Sequence, residues 1–300
     1  MELIRSLLFV PATRARFIEK APSAGADVVC LDLEDAVAPA EKPRARDAAR
    51  EAIRTIPRTG YQLYVRVNGL DTGLLEHDLD AIVGPQLDGI SLPKVFTPQV
   101  LQQADAYLTL LEKLRDMPAG HTKIIIWLES AEGMMRVYDI VRASPRLVGA
   151  AYGAEDFTAD MEVSRTKEAK ESEWARYLVA TACRAAGILA IDTPEPDFRD
   201  IASLRRTCEF TKSIGFRAKF CIHPDQVAFV NEVYGPSEAE VAWARRALDA
   251  YADGERRGLG AVGLNGVMID RPVVVRAQRM IQWAEDLAAR TNQEGASNAV

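Results

Sequence analysis

Eight short apolar runs, each followed by a stretch long enough for a helix, constrain this chain more than any other feature. They predict strands at Ser6–Val10, Asp27–Leu33, Gln62–Val67, Gly89–Leu92, Lys123–Leu128, Leu147–Ala151, Ile188–Ile191 and Ala218–Ile222. The runs are brief and rich in β-branched residues, and most are near-continuously apolar, the pattern of a parallel sheet covered by helices. Stretches such as Arg44–Ile56, Pro98–Arg115 and Glu173–Ala186 have the helical periodicity and length that a parallel crossover needs. Eight strands are the number a closed barrel requires. An open doubly wound sheet should carry a Gly-rich turn after an early strand. Here the first run leads into Pro11-Ala12-Thr13-Arg14, and no G-x-G-x-x-G occurs. The expected fold is therefore a (β/α)₈ TIM barrel with a C-terminal extension.

The barrel is expected over residues 1–257, closing with a helix at Glu238–Arg257. A segment with Gly258, Gly260, Gly263 and Gly266 follows, then Val267 to Pro272 and a helix from about Val273 to Ala289. This reads as an arm or lid over 258–292 on a flexible connection, and the polar tail 293–300 as disordered. With 300 residues and 48% hydrophobic content the chain can bury a barrel-sized core. A net charge of −6 offers no electrostatic footprint for nucleic acid or an anionic membrane. The four cysteines lack zinc-site spacing and suit a reducing, cytoplasmic compartment. The apolar stretch Leu7–Val10 is too short for a signal core, and no segment approaches a membrane span.

In a barrel, chemistry collects at the C-terminal ends of the strands. Reading past each run gives Glu34 and Asp35, then Arg66, Lys94, Glu129, Asp156 and His223. Several carboxylates so placed would repel one another unless a cation sat among them. Glu129 and Asp156 are the candidate ligands for Mg²⁺, with Mn²⁺ as a substitute, because both offer hard oxygen donors. Each residue alone is read equally well as a cap of the next helix. Arg66 is a candidate clamp for a carboxylate, the alternative being an ion pair with Asp32 or Glu34. Glu34 and Asp35 could order water or relay protons, or be solvated loop acids. Arg14 and Lys94 would suit a phosphate-bearing tail. His223, ahead of Pro224, is better read as stabilising a turn than as a base. Asp270, just before Pro272, reads as a cap of the last helix.

Taken in order, Arg5 to Pro11, Leu31-Asp32-Leu33-Glu34-Asp35, Val65-Arg66-Val67-Asn68, Leu92-Pro93-Lys94, Leu128 to Gly133, Gly153-Ala154-Glu155-Asp156-Phe157 and Cys221-Ile222-His223-Pro224 form a set. In these segments the chain resembles the citrate lyase β-subunit-like branch of the HpcH/HpaI aldolase superfamily, which includes malyl-CoA, β-methylmalyl-CoA and citramalyl-CoA lyases. The resemblance implies a Mg²⁺-dependent carbon–carbon lyase acting on an acyl-CoA to release a 2-oxo acid. It also implies Glu129 and Asp156 as metal ligands, Arg66 on the oxo acid, Glu34 and Asp35 near the metal's waters, and a homotrimer or hexamer. In such relatives an arm covers a neighbouring subunit's site and supplies an acid that moves a proton at the acetyl carbon. Met268-Ile269-Asp270 matches that arm and raises Asp270 from cap to catalyst. Pyruvate-type aldolases of the sister branch carry a His where this chain reads Leu33-Glu34-Asp35. Three alternatives stay open: a citrate lyase β-subunit acting on citryl-acyl carrier protein, a condensing or thioester-hydrolysing enzyme, and a non-catalytic acyl-CoA-binding barrel.

Overall fold

The computed structural model describes residues 3–297, with side chains through Arg290. In chain order the elements are β1 (Ser6–Pro11), α1 (Ala15–Lys20), β2 (Val28–Asp32), α2 (Lys42–Thr55), β3 (Gln62–Arg66), α3 (Leu75–Ile82), β4 (Gly89–Leu92) and α4 (Pro98–Leu114). Next come β5 (Lys123–Leu128), α5 (Ala131–Met135), α6 (Val137–Ile140), β6 (Leu147–Tyr152), α7 (Ala154–Asp160), α8 (Lys170–Ala186), β7 (Leu189–Asp192), α9 (Ile201–Ile214), β8 (Ala218–Cys221) and α10 (Pro224–Tyr234). The last elements are α11 (Glu238–Arg256), β9 (Val262–Leu264), β10 (Val267–Ile269) and α12 (Arg271–Ser297). Strands β1 to β8 pair in sequence order, all parallel, and β8 pairs back onto β1 to close the barrel. Each lies where its apolar run predicts.

The barrel strands are buried because their side chains meet packed protein on both sides. Inside, Phe9 stacks on Phe220 at 4.5 Å between ring centroids and on Trp127 at 5.7 Å. The Trp127 indole donates to Ser91 Oγ at 2.8 Å, so its polar edge is satisfied. Outside, helices approach on small residues, with Ala45, Ala49 and Ala52 of α2 and Ala175 and Ala180 of α8 buried. Among the described residues no helix is long and apolar enough to cross a membrane.

The chain divides into compact units at Asn231/Glu232, ahead of the boundary expected at 257. Helix α11, assigned to the barrel segment from sequence, has its own partners in the second unit. Its Ala247 and Tyr251 pack with Ile269, Val273 and Val274. The glycine-rich segment is not a bare linker but an antiparallel hairpin of β9 and β10. Asn265 and Gly266 at its tip both have positive φ, 50° and 79°, as a two-residue hairpin turn of the right twist demands. The Asn265-Gly266 pair is the residue signal for such a turn. Helix α12 continues to Ser297, so 293–297 are helical where a disordered tail is expected. Residues such as Gln293, Glu294 and Ala296 do not break a helix already under way. The remainder of that tail, 298–300, lies outside the described residues.

One buried cluster ties β7, β8 and α8 together. Asp192 accepts from Arg176 Nε at 3.0 Å and from Lys219 Nζ at 2.5 Å, with Asp192 and Lys219 both 0% exposed. Burial opposes the Asp192 charge, but the two cations outweigh it and hold the carboxyl below its usual range. Removing the shared anion would leave two buried cations facing each other. Asp192→Asn is expected to lower stability by about 3–5 kcal/mol in urea unfolding; a change below about 1 kcal/mol would show that this cluster does not hold the layers.

Candidate active site

The mouth of the barrel gathers charged side chains from one consecutive arc, β2 through β6. Asp32 ends β2, and its carboxylate accepts the Glu34 N–H at 2.9 Å and the Ala36 N–H at 3.3 Å, which shapes the turn. The same carboxylate takes the fork of Arg66 at the end of β3, from Nε at 2.8 Å and Nη2 at 2.6 Å. The guanidinium also lies on the Phe9 ring, 4.4 Å from its centroid. Only Nη1 is left towards the other acids, 3.4 Å from Asp35 and 2.9 Å from Glu34 Oε2. The last contact is off-axis: Glu34 Oε2 is buried and accepts no hydrogen bond. Burial disfavours the charge on Arg66, but Asp32, Glu34 and Asp35 more than compensate and hold it cationic. Arg66 is thus ion-paired through its fork and presents one nitrogen, not two, to a ligand.

Glu129 follows β5 and is 6% exposed. Two features hold its carboxylate. Lys94 N–H donates to Oε1 at 2.6 Å, with Lys94 in the left-handed backbone region at φ 55°. That conformation costs a residue with a Cβ roughly 1–2 kcal/mol, strain of a kind that collects at functional sites. Gly153, at the start of the next βα turn, supplies space: a Cβ there would fall 2.5 Å from Glu129 Oε2 and 2.7 Å from its Cβ. The capping alternative for Glu129 is resolved, because Ser130 caps α5 by accepting the Gly133 N–H at 3.0 Å. Asp156 is not the cap of α7 either; it lies in the helix's first turn behind Gly153.

These acids raise one another. Burial and then the charge of Asp156 push Glu129 up to about 8. Burial, set against Arg66 and reinforced by Asp35 and Asp32, pushes Glu34 up to about 7. Asp156 is raised by burial and by Asp35. Lys94 Nζ, 3.9 Å from Glu34 Oε1, belongs to this cluster. Burial works against its charge, yet Glu34, Asp156 and Asp71 raise it overall. Its place among the acids, rather than on an outer surface, sets it apart from Arg14, which is exposed at the start of α1 and has no ion pair among the described residues. Asp35 is 62% exposed.

Five carboxylates thus face two side-chain cations. The donors are hard oxygens, a set that fits a divalent cation such as Mg²⁺, and Glu34 Oε2 in the same cluster is buried without a hydrogen bond. Among the described residues no group of three or more His, Cys, Asp or Glu side chains could hold a metal ion. Glu129 and Asp156, each of which raises or is raised by a neighbouring carboxylate at this mouth, are the pair that could hold such an ion. His223 stabilises its turn: Nδ1 accepts the Asp225 N–H at 3.2 Å, and the ring stacks on Phe198 at 4.4 Å. Asp270 Oδ1 accepts the Val273 N–H at 3.3 Å and caps α12. Gly153 stands in the sequence motif that ends β6, but its role, leaving room for the Glu129 carboxylate, is purely spatial and no residue type signals it.

Known proteins share this arrangement of chain. The family described as HpcH/HpaI aldolase/citrate lyase matches residues 5–224. The citrate lyase subunit beta of Leuconostoc mesenteroides subsp. cremoris is 38% identical over 94% of this chain and 93% of its own. The L-malyl-CoA/beta-methylmalyl-CoA lyase of Cereibacter sphaeroides is 36% identical over 95% of this chain and 96% of its own. The crystal structure of protein CitE from Mycobacterium tuberculosis, in complex with magnesium, acetoacetate and coenzyme A, superposes with a TM-score of 0.76 at 31% identity. It covers 94% of this chain and 98% of its own.

The raised carboxylates have a consequence for stability. An unfolded glutamate titrates near 4.5, whereas folded Glu34 and Glu129 titrate near 7 and 8. Between those limits the folded chain holds more protons than the unfolded one, so stability must fall as pH rises. With chelator present, the thermal midpoint is expected to drop from about pH 5 to about pH 8, and Glu129→Gln to flatten the drop. A midpoint that stays level or rises through this window would mean that both groups are ionised in the folded chain.

Proposed function

The chain belongs to the HpcH/HpaI aldolase/citrate lyase family, and from that premise we propose that it is a Mg²⁺-dependent lyase cleaving a 3-hydroxy-3-carboxyacyl-CoA reversibly. The substrates are malyl-, methylmalyl- or citramalyl-CoA, and the products acetyl-CoA or propionyl-CoA and glyoxylate or pyruvate. The observation that carries the reading is the convergence of Glu34, Glu129 and Asp156 beside Arg66 at the barrel mouth.

Glu129 and Asp156 would hold the ion, which when bound supplies Lewis-acid charge that acidifies a substrate hydroxyl and offsets charge on oxygen. Glu34, titrating near neutrality, takes the hydroxyl proton, directly or through water. As the C–O bond becomes a carbonyl, the adjacent C–C bond breaks. Its electron pair stays with the thioester as an enolate, and the 2-oxo acid departs. Arg66 Nη1 faces the oxo-acid carboxylate, while its fork, locked on Asp32, keeps it from moving with the ligand. Lys94 lends a second cation to the same side. Arg14, exposed just after β1, is available to the phosphates of coenzyme A. Asp270, supplied by a neighbouring subunit of a trimer or hexamer, returns a proton to the enolate carbon. Run backwards, the same steps condense the two products.

A citrate lyase β-subunit role remains the second reading, favoured by the 38% identity to such a subunit. Glyoxylate and pyruvate differ by one methyl, a difference read by pocket shape alone. Incubating acetyl-CoA and propionyl-CoA with glyoxylate, pyruvate and oxaloacetate plus Mg²⁺, with mass-spectrometric readout, is expected to form a hydroxyacyl-CoA from glyoxylate or pyruvate and to lose it in EDTA. Product from oxaloacetate alone would favour the second reading, and undiminished turnover in chelator would reject the metal. Asp270→Asn is expected to cut turnover by about a hundredfold or more with Mg²⁺ binding unchanged by calorimetry. Full activity in that variant would leave Asp270 as a helix cap.

A further inference from the structure

Glu34 lies past the end of β2, where no strand ladder holds it. Its N–H donates to Asp32 Oδ1 at 2.9 Å. Its carbonyl accepts the Val37 N–H at 3.0 Å, closing the turn, and is gripped from behind by Lys42 Nζ at 3.1 Å. The same ammonium donates to the Leu33 carbonyl at 3.0 Å and to Asn68 Oδ1 at 2.6 Å. An ammonium has three donors, and these three acceptors use all of them. Two are consecutive carbonyls of the β2 turn, and the third is the side chain two residues past Arg66.

Asn68 is fixed in turn. Asp78 Oδ2 accepts from its backbone N–H at 2.9 Å and from Nδ2 at 2.6 Å. Asp78 Oδ1 accepts from Arg46 Nε at 2.9 Å, and Asp78 is 1% exposed. Lys42 and Arg46 stand one turn apart on α2, so they lie on one face of that helix. One helix face therefore pins both the turn that carries Glu34 and the segment that follows Arg66, through groups that are all hydrogen-bonded.

We propose that Lys42 is a positioning residue for the lyase reaction: it holds the Glu34 peptide so that the carboxylate stays at the mouth beside Arg66. The inference rests on the reading of Glu34 as the group that takes the substrate proton. Lys42 touches neither substrate nor metal. Its loss removes a donor from the Leu33 and Glu34 carbonyls and from Asn68 Oδ1, leaving the Glu34 carbonyl only the Val37 N–H, and the turn relaxes while the β5–β6 side stays in place.

Lys42→Met in the full-length chain separates positioning from general packing. Hydrogen exchange read by mass spectrometry is expected to rise about tenfold or more over residues 33–37, with β5 and β6 unchanged. In the activity assay kcat is expected to fall ten- to hundredfold, with KM for the acyl-CoA within about twofold and the acid limb of the pH profile displaced. Lys42→Arg, which keeps charge and donors, should recover part of both effects. Unchanged exchange over 33–37 overturns the proposal whether or not the wild-type chain turns over any thioester. So does exchange that rises equally in β5 and β6, which marks lost stability instead. Faster local exchange with kcat and pH profile intact overturns the catalytic consequence. A wild-type chain inactive on every thioester defeats the functional reading, and the exchange result still decides whether Lys42 fixes the turn.

Discussion

A guanidinium held in a nearly closed protein space needs its charge answered, and the site is arranged around that need. Arg66 lies on the Phe9 ring with its fork on Asp32. A buried pair of this kind adds little to stability in itself, because the loss of solvation offsets most of the attraction. What it contributes is position. With Asp32 spent on Arg66 and on the amides of Glu34 and Ala36, the turn after β2 and the end of β3 become one rigid piece. Glu34 is then placed where it cannot fully satisfy its oxygens, and its raised pKa follows from that placement.

The opposite side of the mouth uses backbone to the same end. Lys94 adopts a left-handed conformation that aims its N–H at Glu129 and leaves its ammonium near Glu34. A glycine there would adopt this backbone more easily but would bring no cation. Gly153 works by the absence of a side chain, since a Cβ would occupy the space of the Glu129 carboxylate. One strained residue and one glycine thus keep a carboxylate buried against its preference. Electrostatic strain of this kind persists only where the surrounding structure over-determines it.

Behind the reacting groups runs a hydrogen-bonded network, from Arg46 through Asp78 and Asn68 to Lys42, that no strand ladder could replace. Loops after parallel strands lie beyond the strand ladder and are more mobile than the elements they connect unless something ties them down. Here Asp32 holds the turn from inside, and the first turns of α2 add a second hold from behind. The second compact unit settles its own core in the same economical way, with a hairpin turn set by Asn265-Gly266 and a helix capped by Asp270.

Most of the barrel was legible in the order of residues, because burial on both faces leaves a local, repeated imprint: short apolar runs at crossover spacing. The same logic placed Glu34, Arg66, Lys94, Glu129 and Asp156 at strand ends, since position along a strand determines which end of the barrel a residue reaches. Sequence left open whether Glu129 and Asp156 were caps and whether Arg66 was paired, and only the fold could choose. Ser130 took the cap, and Asp32 took the fork. The roles of Lys42, Asp78 and Gly153 were invisible because they depend on which distant groups stand opposite them. Periodicity records which face of an element is buried; it carries no record of the partner met across a turn. That partner is decided when the strands close into a ring and bring β2, β3, β5 and β6 around a single mouth.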